Sequence, residues 1–224
     1  MRSGSGGSPV FRDREHAGEL LSRVLMRYQG AHAAVVAVPR GGVPVGFAIA
    51  RSLQLPLDVV IPRKLPIPEE PEAGFGAVTA DGSLVLNERL VAQLNLPAKT
   101  IDAIVKEVQR EVRRREAVYR QAGPRVDLSG RTVIVVDDGL ASGYTMLAAI
   151  KSVGKGGPRK VVVAVPCSPT RSIDLVTPQV DEIYCLVRSD EPIFAVASYY
   201  EDFADLSDEQ VLGFLKEAAG FPLR

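Results

Sequence analysis

The chain has 224 residues, 46% of them hydrophobic, and it carries 27 Lys and Arg against 27 Asp and Glu. This length suits one α/β domain with its own core. A chain without net charge has no overall field to attract nucleic acid or an acidic membrane, although a local basic patch is still possible. No run reaches the roughly twenty apolar residues that span a bilayer, and no apolar signal core is present at the N-terminus. We therefore expect a cytoplasmic protein that binds neither nucleic acid nor membrane.

Strand-like runs alternate with helical periods, which is typical of a mostly parallel sheet with helices on both faces. We expect this α/β fold in a single domain over residues 10–224, after a flexible low-complexity tail over residues 1–9 that is either native or added. Strands are predicted near Ala34–Val38, Leu57–Ile61, Thr132–Val136, Lys160–Val165 and Glu182–Val187. Helices are predicted near Asp13–Tyr28, Val43–Ser52, Leu90–Leu94, Thr100–Gln121, Gly143–Val153, Thr170–Val176 and Ser207–Ala219.

Between residues 62 and 88 the periodicity fails, because four prolines are followed by three glycines. A structureless connection of this length inside a compact domain is usually a lid or a binding loop. We therefore predict a mobile loop or insertion here, with an inert insertion as the alternative. The short apolar runs on either side of Ala80-Asp81-Gly82 predict that its second half forms a β-hairpin.

The long helix near Thr100–Gln121 carries a basic cluster, Arg113-Arg114-Arg115, beside a narrow apolar stripe. A nucleic-acid contact is one interpretation of this cluster. A solvated outer face with pairs of opposite charge is the interpretation that we favour. Cys167 and Cys185 lie in or beside apolar runs, far from any metal-ligand spacing, and we interpret both as packing thiols in a reducing compartment.

The most informative stretch is Val133 to Thr145, which reads Val-Ile-Val-Val-Asp-Asp-Gly-Leu-Ala-Ser-Gly-Tyr-Thr. Four β-branched residues predict a strand that is buried on both faces, and a small-residue loop after it must open a helix by Met146. Free backbone N–H groups at a helix start, with the Ser142 and Thr145 hydroxyls, form a receptor for phosphate. The two carboxylates would repel that phosphate, so they are better suited to sugar hydroxyls or a divalent cation. The inferred ligand is a phosphorylated sugar.

The motif Asp-Asp-Gly-x-Ala-Ser-Gly-x-Thr after a hydrophobic strand resembles the signature for 5-phosphoribosyl-1-pyrophosphate (PRPP) in the type I phosphoribosyltransferases, and the chain is most similar to their uncharacterised members. The resemblance implies transfer of a phosphoribosyl group to a nitrogenous acceptor, with Mg²⁺ as cofactor and a role in nucleotide metabolism. Asp137 and Asp138 would hold the ribose hydroxyls directly or through Mg²⁺. The 5′-phosphate would be held by the loop and first turn of the helix, namely Gly139, Leu140, Ala141, Ser142, Gly143, Tyr144 and Thr145.

Two basic segments complete this expected site. Arg40-Gly41-Gly42 follows the first strand and opens a helix, and two glycines allow an anionic group to lie on exposed N–H groups. By resemblance this is the pyrophosphate loop. Arg63 and Lys64 directly follow the second predicted strand, where we expect both to point into the same crevice and act on the pyrophosphate. The alternative for Lys64 is a solvated position on the loop.

The acceptor is expected under a hood formed by residues 188–224, which includes the closing helix. Phe194 and either Tyr199 or Tyr200 are candidates to stack on a planar base, and packing of these aromatics against the closing helix is the alternative. Members that use oxopurines have an acid at the position of Ala141, so its absence argues against hypoxanthine or guanine. The acceptor is otherwise left open.

Two other classes of function are alternatives to this transferase. A PRPP-sensing regulator that binds without turnover should show a basic surface, which the neutral charge balance does not favour. A hydrolase or phosphatase would need a water-activating base, and none is offered beyond Asp137 and Asp138. His16 and His32 show no triad-like or metal-like spacing. The resemblance also implies a homodimer.

Overall fold

The computed structural model describes residues 10–68 and 70–221. The predicted flexible tail over residues 1–9 lies outside them, as do the last three residues of the predicted hood. No helix within the described ranges is both long and apolar enough to cross a membrane.

Within residues 10–68 and 70–221, eight strands form two sheets, one of five strands and one of three. All five strands predicted from the sequence are present, and three further strands lie in the segment that we expected to be irregular. In chain order the strands are β1 (Ala33–Ala37), β2 (Leu57–Val59), β3 (Arg63–Ile67), β4 (Glu70–Val78), β5 (Leu84–Leu86), β6 (Thr132–Val136), β7 (Lys160–Pro169) and β8 (Glu182–Ser189).

In the part of the chain that the structure describes, seven α-helices accompany them, each close to its predicted place. The last begins with the capping box that Ser207 and Gln210 form. Short 3₁₀ turns extend several of them. In chain order the helices are α1 (Arg14–Val24), α2 (Gly42–Leu53), α3 (Glu88–Gln93), α4 (Ala98–Tyr119), α5 (Tyr144–Gly154), α6 (Thr170–Val176) and α7 (Asp208–Ala218).

The five-stranded sheet is parallel throughout, in the order β2-β1-β6-β7-β8. Every residue of β1 and β6 is buried, as expected for central strands covered on both faces. Alternate residues face opposite sides: Val35 and Ile134 pack with α1 and α2, whereas Val36 and Val135 pack with α5 and α6. This confirms the predicted α/β class, a parallel sheet between two helical layers.

The described residues between 62 and 88 form regular structure, contrary to our expectation for the first half of this segment. Strands β3, β4 and β5 pair antiparallel in sequence order. The predicted hairpin is confirmed, because Val78 pairs with Leu84 across the turn. The prediction for the first half is wrong because prolines, which usually signal loops, are tolerated in these strands. Pro66 is accommodated in β3 at an irregularity in the pairing with β4. Whether this small sheet moves as a lid stays a prediction.

The basic cluster of α4 lies on the outside of the protein. Arg113 and Arg114 are exposed, whereas Val108 and Val112 are buried against the small sheet. The Arg113 side chain also donates to the backbone oxygen of Ala80 in the hairpin turn, over 3.2 Å. The outer face of α4 is therefore solvated, which is the interpretation that we favoured. One of its arginines, Arg113, also makes a hydrogen bond within the molecule.

Candidate active site

The strand order places a crevice between β1 and β6. From β1 the chain passes through α2 to β2 on one side, and from β6 it passes through α5 to β7 on the other side. The carboxyl ends of strands at such a reversal of direction form the usual ligand site of open α/β sheets. Arg40-Gly41-Gly42 follows β1, and Asp137-Asp138 follows β6. The two predicted motifs therefore meet at the same place.

The loop Arg40-Gly41-Gly42, which we call the glycine loop, lies directly against Asp137 and Asp138. A Cβ atom added at Gly41 would be 1.8 Å from Asp138 Oδ2, and one added at Gly42 would be 2.9 Å from the Cα of Asp137. Gly41 has an ordinary φ of −62°, so glycine is required here for close approach and not for backbone conformation. Below the loop, the N–H of Val38 donates to the oxygen of Val136 over 2.8 Å. The two segments are thus built as one unit.

Both carboxylates are partly withdrawn from solvent. Burial raises the pKa of Asp137 well above its ordinary value, and the neighbouring charge of Asp138 raises it further. Burial also raises the pKa of Asp138, but there the Arg14 guanidinium acts in the opposite direction. The N–H of Asp138 donates to Asp137 Oδ1 over 2.8 Å, which fixes the first carboxylate. The pair is therefore an electrostatically costly arrangement that a polyhydroxy ligand or a cation would stabilise.

Arg14 is a residue of this site that the sequence analysis missed. Its Nε donates to Asp138 Oδ2 over 2.9 Å, and only 11% of its side chain is exposed. The same guanidinium donates to the backbone oxygen of Ala204 over 2.8 Å and lies 3.8 Å above the ring centre of Phe203. Arg14 thereby ties α1 and the hood to the second carboxylate. No local pattern could reveal this contact, because residues 14 and 138 are far apart in the chain.

The hood holds the backbone of the same residue. The Tyr200 hydroxyl donates to the backbone oxygen of Asp138 over 2.6 Å, and Tyr200 is 4% exposed, packed between Phe11 and Phe203. Of the two tyrosines proposed to stack on an acceptor, Tyr200 therefore packs the hood instead. Phe194 and Tyr199 are partly buried, with ring centres 5.2 Å apart.

The loop after the aspartates has the features of a phosphate receptor. The helix α5 begins at Tyr144, and Gly143 before it has a φ of +84°, which glycine adopts without strain. The N–H groups of Ser142, Gly143, Tyr144 and Thr145 make no hydrogen bond among the residues that the structure describes. They are therefore available to an anion, and the assignment of a phosphate to them stays a prediction.

This loop is also anchored from behind. The Ser172 hydroxyl of α6 donates to the oxygen of Ala141 over 2.5 Å, and the N–H of Leu140 donates to the oxygen of Cys167 over 3.0 Å. Such anchoring fixes the free N–H groups before a ligand arrives, so less ordering is needed on binding.

Arg63 and Lys64 lie differently from our expectation. They do not project from the end of β2 but open strand β3, and adjacent residues of a strand point to opposite faces. Arg63 Nη1 is 2.8 Å from Glu111 Oε2 on α4, and Lys64 Nζ donates to the oxygen of Glu72 over 2.5 Å. The prediction that both point into one crevice is wrong, because the two side chains leave β3 on opposite faces.

Arg40 lies at the start of the glycine loop with its side chain 40% exposed. Its Nη1 is 4.0 Å from Asp208 Oδ1, which is the outer limit of an ion pair. A loosely held guanidinium beside two glycines is able to bind an incoming polyanion at little cost.

The aspartates are the available metal ligands here. Within residues 10–68 and 70–221, no group of three or more His, Cys, Asp or Glu side chains could hold a metal ion. Mg²⁺ commonly binds through one or two carboxylates, with substrate phosphates and waters as its other ligands. Asp137 and Asp138 fit a cation that enters with a polyphosphate, and they do not fit a site made of protein alone.

Comparison with known proteins agrees with this geometry. A family model described as phosphoribosyl transferase domain matches residues 79–202. Two Mycobacterium tuberculosis proteins, named "Putative phosphoribosyl transferase MT0597" and "Putative phosphoribosyl transferase Rv0571c", are each 40% identical over 209 residues, which is 93% of this chain and 47% of the relative. The chain spans about half the length of these curated relatives.

Among solved structures, TT1426 from Thermus thermophilus matches with a TM-score of 0.78 and 38% identity, over 94% of this chain and 99% of that one. The family model contains Asp137, Asp138 and the phosphate loop, whereas Arg14 and Arg40 lie outside it. Since the model covers more than half of the chain, the chain belongs to the phosphoribosyl transferase family.

Proposed function

We propose that the site binds PRPP with Mg²⁺ and transfers its phosphoribosyl group to a nitrogen of a small acceptor, with release of pyrophosphate. The observation that carries this proposal is the direct contact between the glycine loop and the aspartate pair, beside a helix start with free N–H groups. The ribose of PRPP lies between a monophosphate and a pyrophosphate. Its binding site therefore needs a phosphate receptor, a receptor for the ribose hydroxyls and a pyrophosphate receptor side by side in this order.

The 5′-phosphate would lie on the N–H groups of residues 142–145, with the Ser142 and Thr145 hydroxyls as further donors. This end of the substrate is the fixed anchor. Holding it limits the motion of the ribose, which is a large part of what a site can contribute to the rate.

The ribose hydroxyls would donate to Asp137 and Asp138. These carboxylates would also stabilise the positive charge that develops on the sugar ring as the bond to pyrophosphate breaks. Arg14 would keep Asp138 oriented, with its Nε 2.9 Å from one carboxylate oxygen, while the other oxygen is left for the substrate.

The pyrophosphate would lie on the N–H groups of Gly41 and Gly42, with Arg40 binding its oxygens. Either Arg63 or Lys64, but not both, would add a second cation, because adjacent residues of β3 face opposite sides. Mg²⁺, held by the two aspartates directly or through water, would neutralise charge on the leaving group. These cations would make pyrophosphate a good leaving group.

We expect wild-type protein with PRPP and Mg²⁺ to release pyrophosphate when one member of a panel of nitrogenous acceptors is added. Coupled pyrophosphate detection would measure the rate, and chelation of Mg²⁺ with EDTA should abolish it. A protein that binds PRPP but releases no pyrophosphate with any acceptor would be a PRPP sensor. That result would contradict the proposed turnover and leave the binding site intact.

A further inference from the structure

A groove of about 450 Å³ opens beside the phosphate loop, on the side of the hood. The phosphate loop forms one wall of the groove, α6 forms the second wall, and Phe194 of the hood forms the third wall. The groove is lined by Ala141, Ser142, Arg171, Ser172, Leu175 and Phe194. Arg171 belongs to none of the basic segments that the sequence analysis singled out, which are Arg40, Arg63-Lys64 and Arg113-Arg114-Arg115.

The position of this groove follows from the strand order. The pyrophosphate loop follows β1, which neighbours β6 on one side, whereas α6 follows β7 on the other side. When a substituent on an anomeric carbon is displaced with inversion, the nucleophile attacks the face opposite the leaving group. A ribose held at the end of β6, with its pyrophosphate toward β1, therefore presents its open face toward β7 and the hood.

The charge of the groove is set by one residue. Among the described lining residues, Arg171 is the one with a charged side chain, and its guanidinium makes no hydrogen bond or ion pair within the described ranges. The Ser172 hydroxyl already donates to Ala141. Arg171 is exposed at the groove, and its planar fork matches a carboxylate in geometry.

Phe194 supplies the complementary apolar surface. Its ring lies on the hood side of the groove, partly buried against Tyr199, and the face of such a ring packs well against a planar heterocycle. Ala141 brings no carboxylate to the wall, so an anionic ligand meets no like charge from this position.

We propose, on the basis of the function above, that this groove is the acceptor site and that Arg171 selects a planar nitrogen heterocycle bearing a carboxylate. The ring packs against Phe194, and the carboxylate accepts two hydrogen bonds from the guanidinium. The ring nitrogen's lone pair forms the new bond to the anomeric carbon, while the bond to pyrophosphate breaks and its electron pair leaves with pyrophosphate. Any proton on that nitrogen passes to solvent.

The test uses matched acceptors that differ in the carboxylate. Nicotinate is compared with nicotinamide, and orotate with uracil, each with PRPP and Mg²⁺, by pyrophosphate release and by binding to the PRPP-loaded protein. We expect at least one carboxylate member to bind and react, and its neutral partner to be about tenfold or more poorer. Arg171→Gln should remove this preference by raising the KM for the acceptor, with the KM for PRPP unchanged, and Arg171→Lys should restore part of it.

Arg159→Gln is the matched control, because it removes the same charge from an exposed position at the opposite end of β7. It should leave both KM values unchanged. The inference is overturned if neutral acceptors are used as well as their carboxylate partners, or if no carboxylate member binds the PRPP-loaded protein. It is also overturned if Arg171→Gln raises the KM for PRPP alone, since Arg171 would then serve the 5′-phosphate. Failure of the protein to bind PRPP at all would instead refute the proposed function.

Discussion

Asp138→Asn is expected to lower the rate of pyrophosphate release from PRPP by about 100-fold or more. Asparagine keeps the size of the side chain but loses the negative charge that would stabilise the cationic sugar ring. It also offers Arg14 Nε only an amide oxygen in place of the carboxylate that now lies 2.9 Å away. The measurement is kcat and KM for pyrophosphate release, with circular dichroism and Tm to show that the variant is folded.

Two further variants distinguish the loss of a carboxylate at the site from the loss of a surface carboxylate elsewhere and from the loss of the contact between Arg14 and Asp138. Asp102→Asn removes an exposed carboxylate on α4 and should leave the rate unchanged. Arg14→Gln leaves both carboxylates present but unties Asp138 from α1 and the hood, so its loss of rate should be smaller than that of Asp138→Asn. Normal turnover by folded Asp138→Asn would refute the mechanism proposed here.

Gly41→Ala is the second substitution with a large expected effect. The new Cβ would lie 1.8 Å from Asp138 Oδ2, so either the carboxylate or the glycine loop must move by an ångström or more. A displacement of that size at reacting groups costs on the order of 100-fold in rate. Overpacking should also lower the free energy of unfolding by about 1 to 3 kcal/mol.

Gly213→Ala is its matched control. This glycine lies in α7, and a Cβ there would meet no atom of the described residues within 4 Å. Alanine is the better helix former, so the Tm should stay the same or rise, and kcat/KM should be unchanged. Wild-type activity in Gly41→Ala would show that the close contact of the two loops is not needed for the reaction.

The central sheet and the position of the site could be predicted because their signals are local. Four β-branched residues before Asp137 mark a buried strand, and Gly-Gly after Arg40 marks a helix start at the end of another strand. Parallel strands bring their carboxyl ends to one edge. Local patterns therefore suffice to bring together motifs about one hundred residues apart.

The errors arose where local signals compete with tertiary structure. Prolines suggested a loop for residues 62–71, but packing of Leu65 and Phe75 against α4 stabilises strands there. The predicted direction of Arg63 and Lys64 was wrong for the same reason. Both residues lie in β3, and adjacent residues of a strand face opposite sides. Arg14 reaches the site through a long-range contact that carries no sequence pattern.

The most direct test of the proposed PRPP site is the Tm of the wild-type protein with and without PRPP, in Mg²⁺ and in EDTA. A ligand at about 100 times its Kd adds about 2.7 kcal/mol to the free energy of unfolding, which raises the Tm of a protein of this size by about 5 to 10 °C. We expect that rise with PRPP and Mg²⁺, a smaller one in EDTA, and little change with ribose 5-phosphate at the same concentration. An unchanged Tm at millimolar PRPP with Mg²⁺ would contradict the assignment of this site.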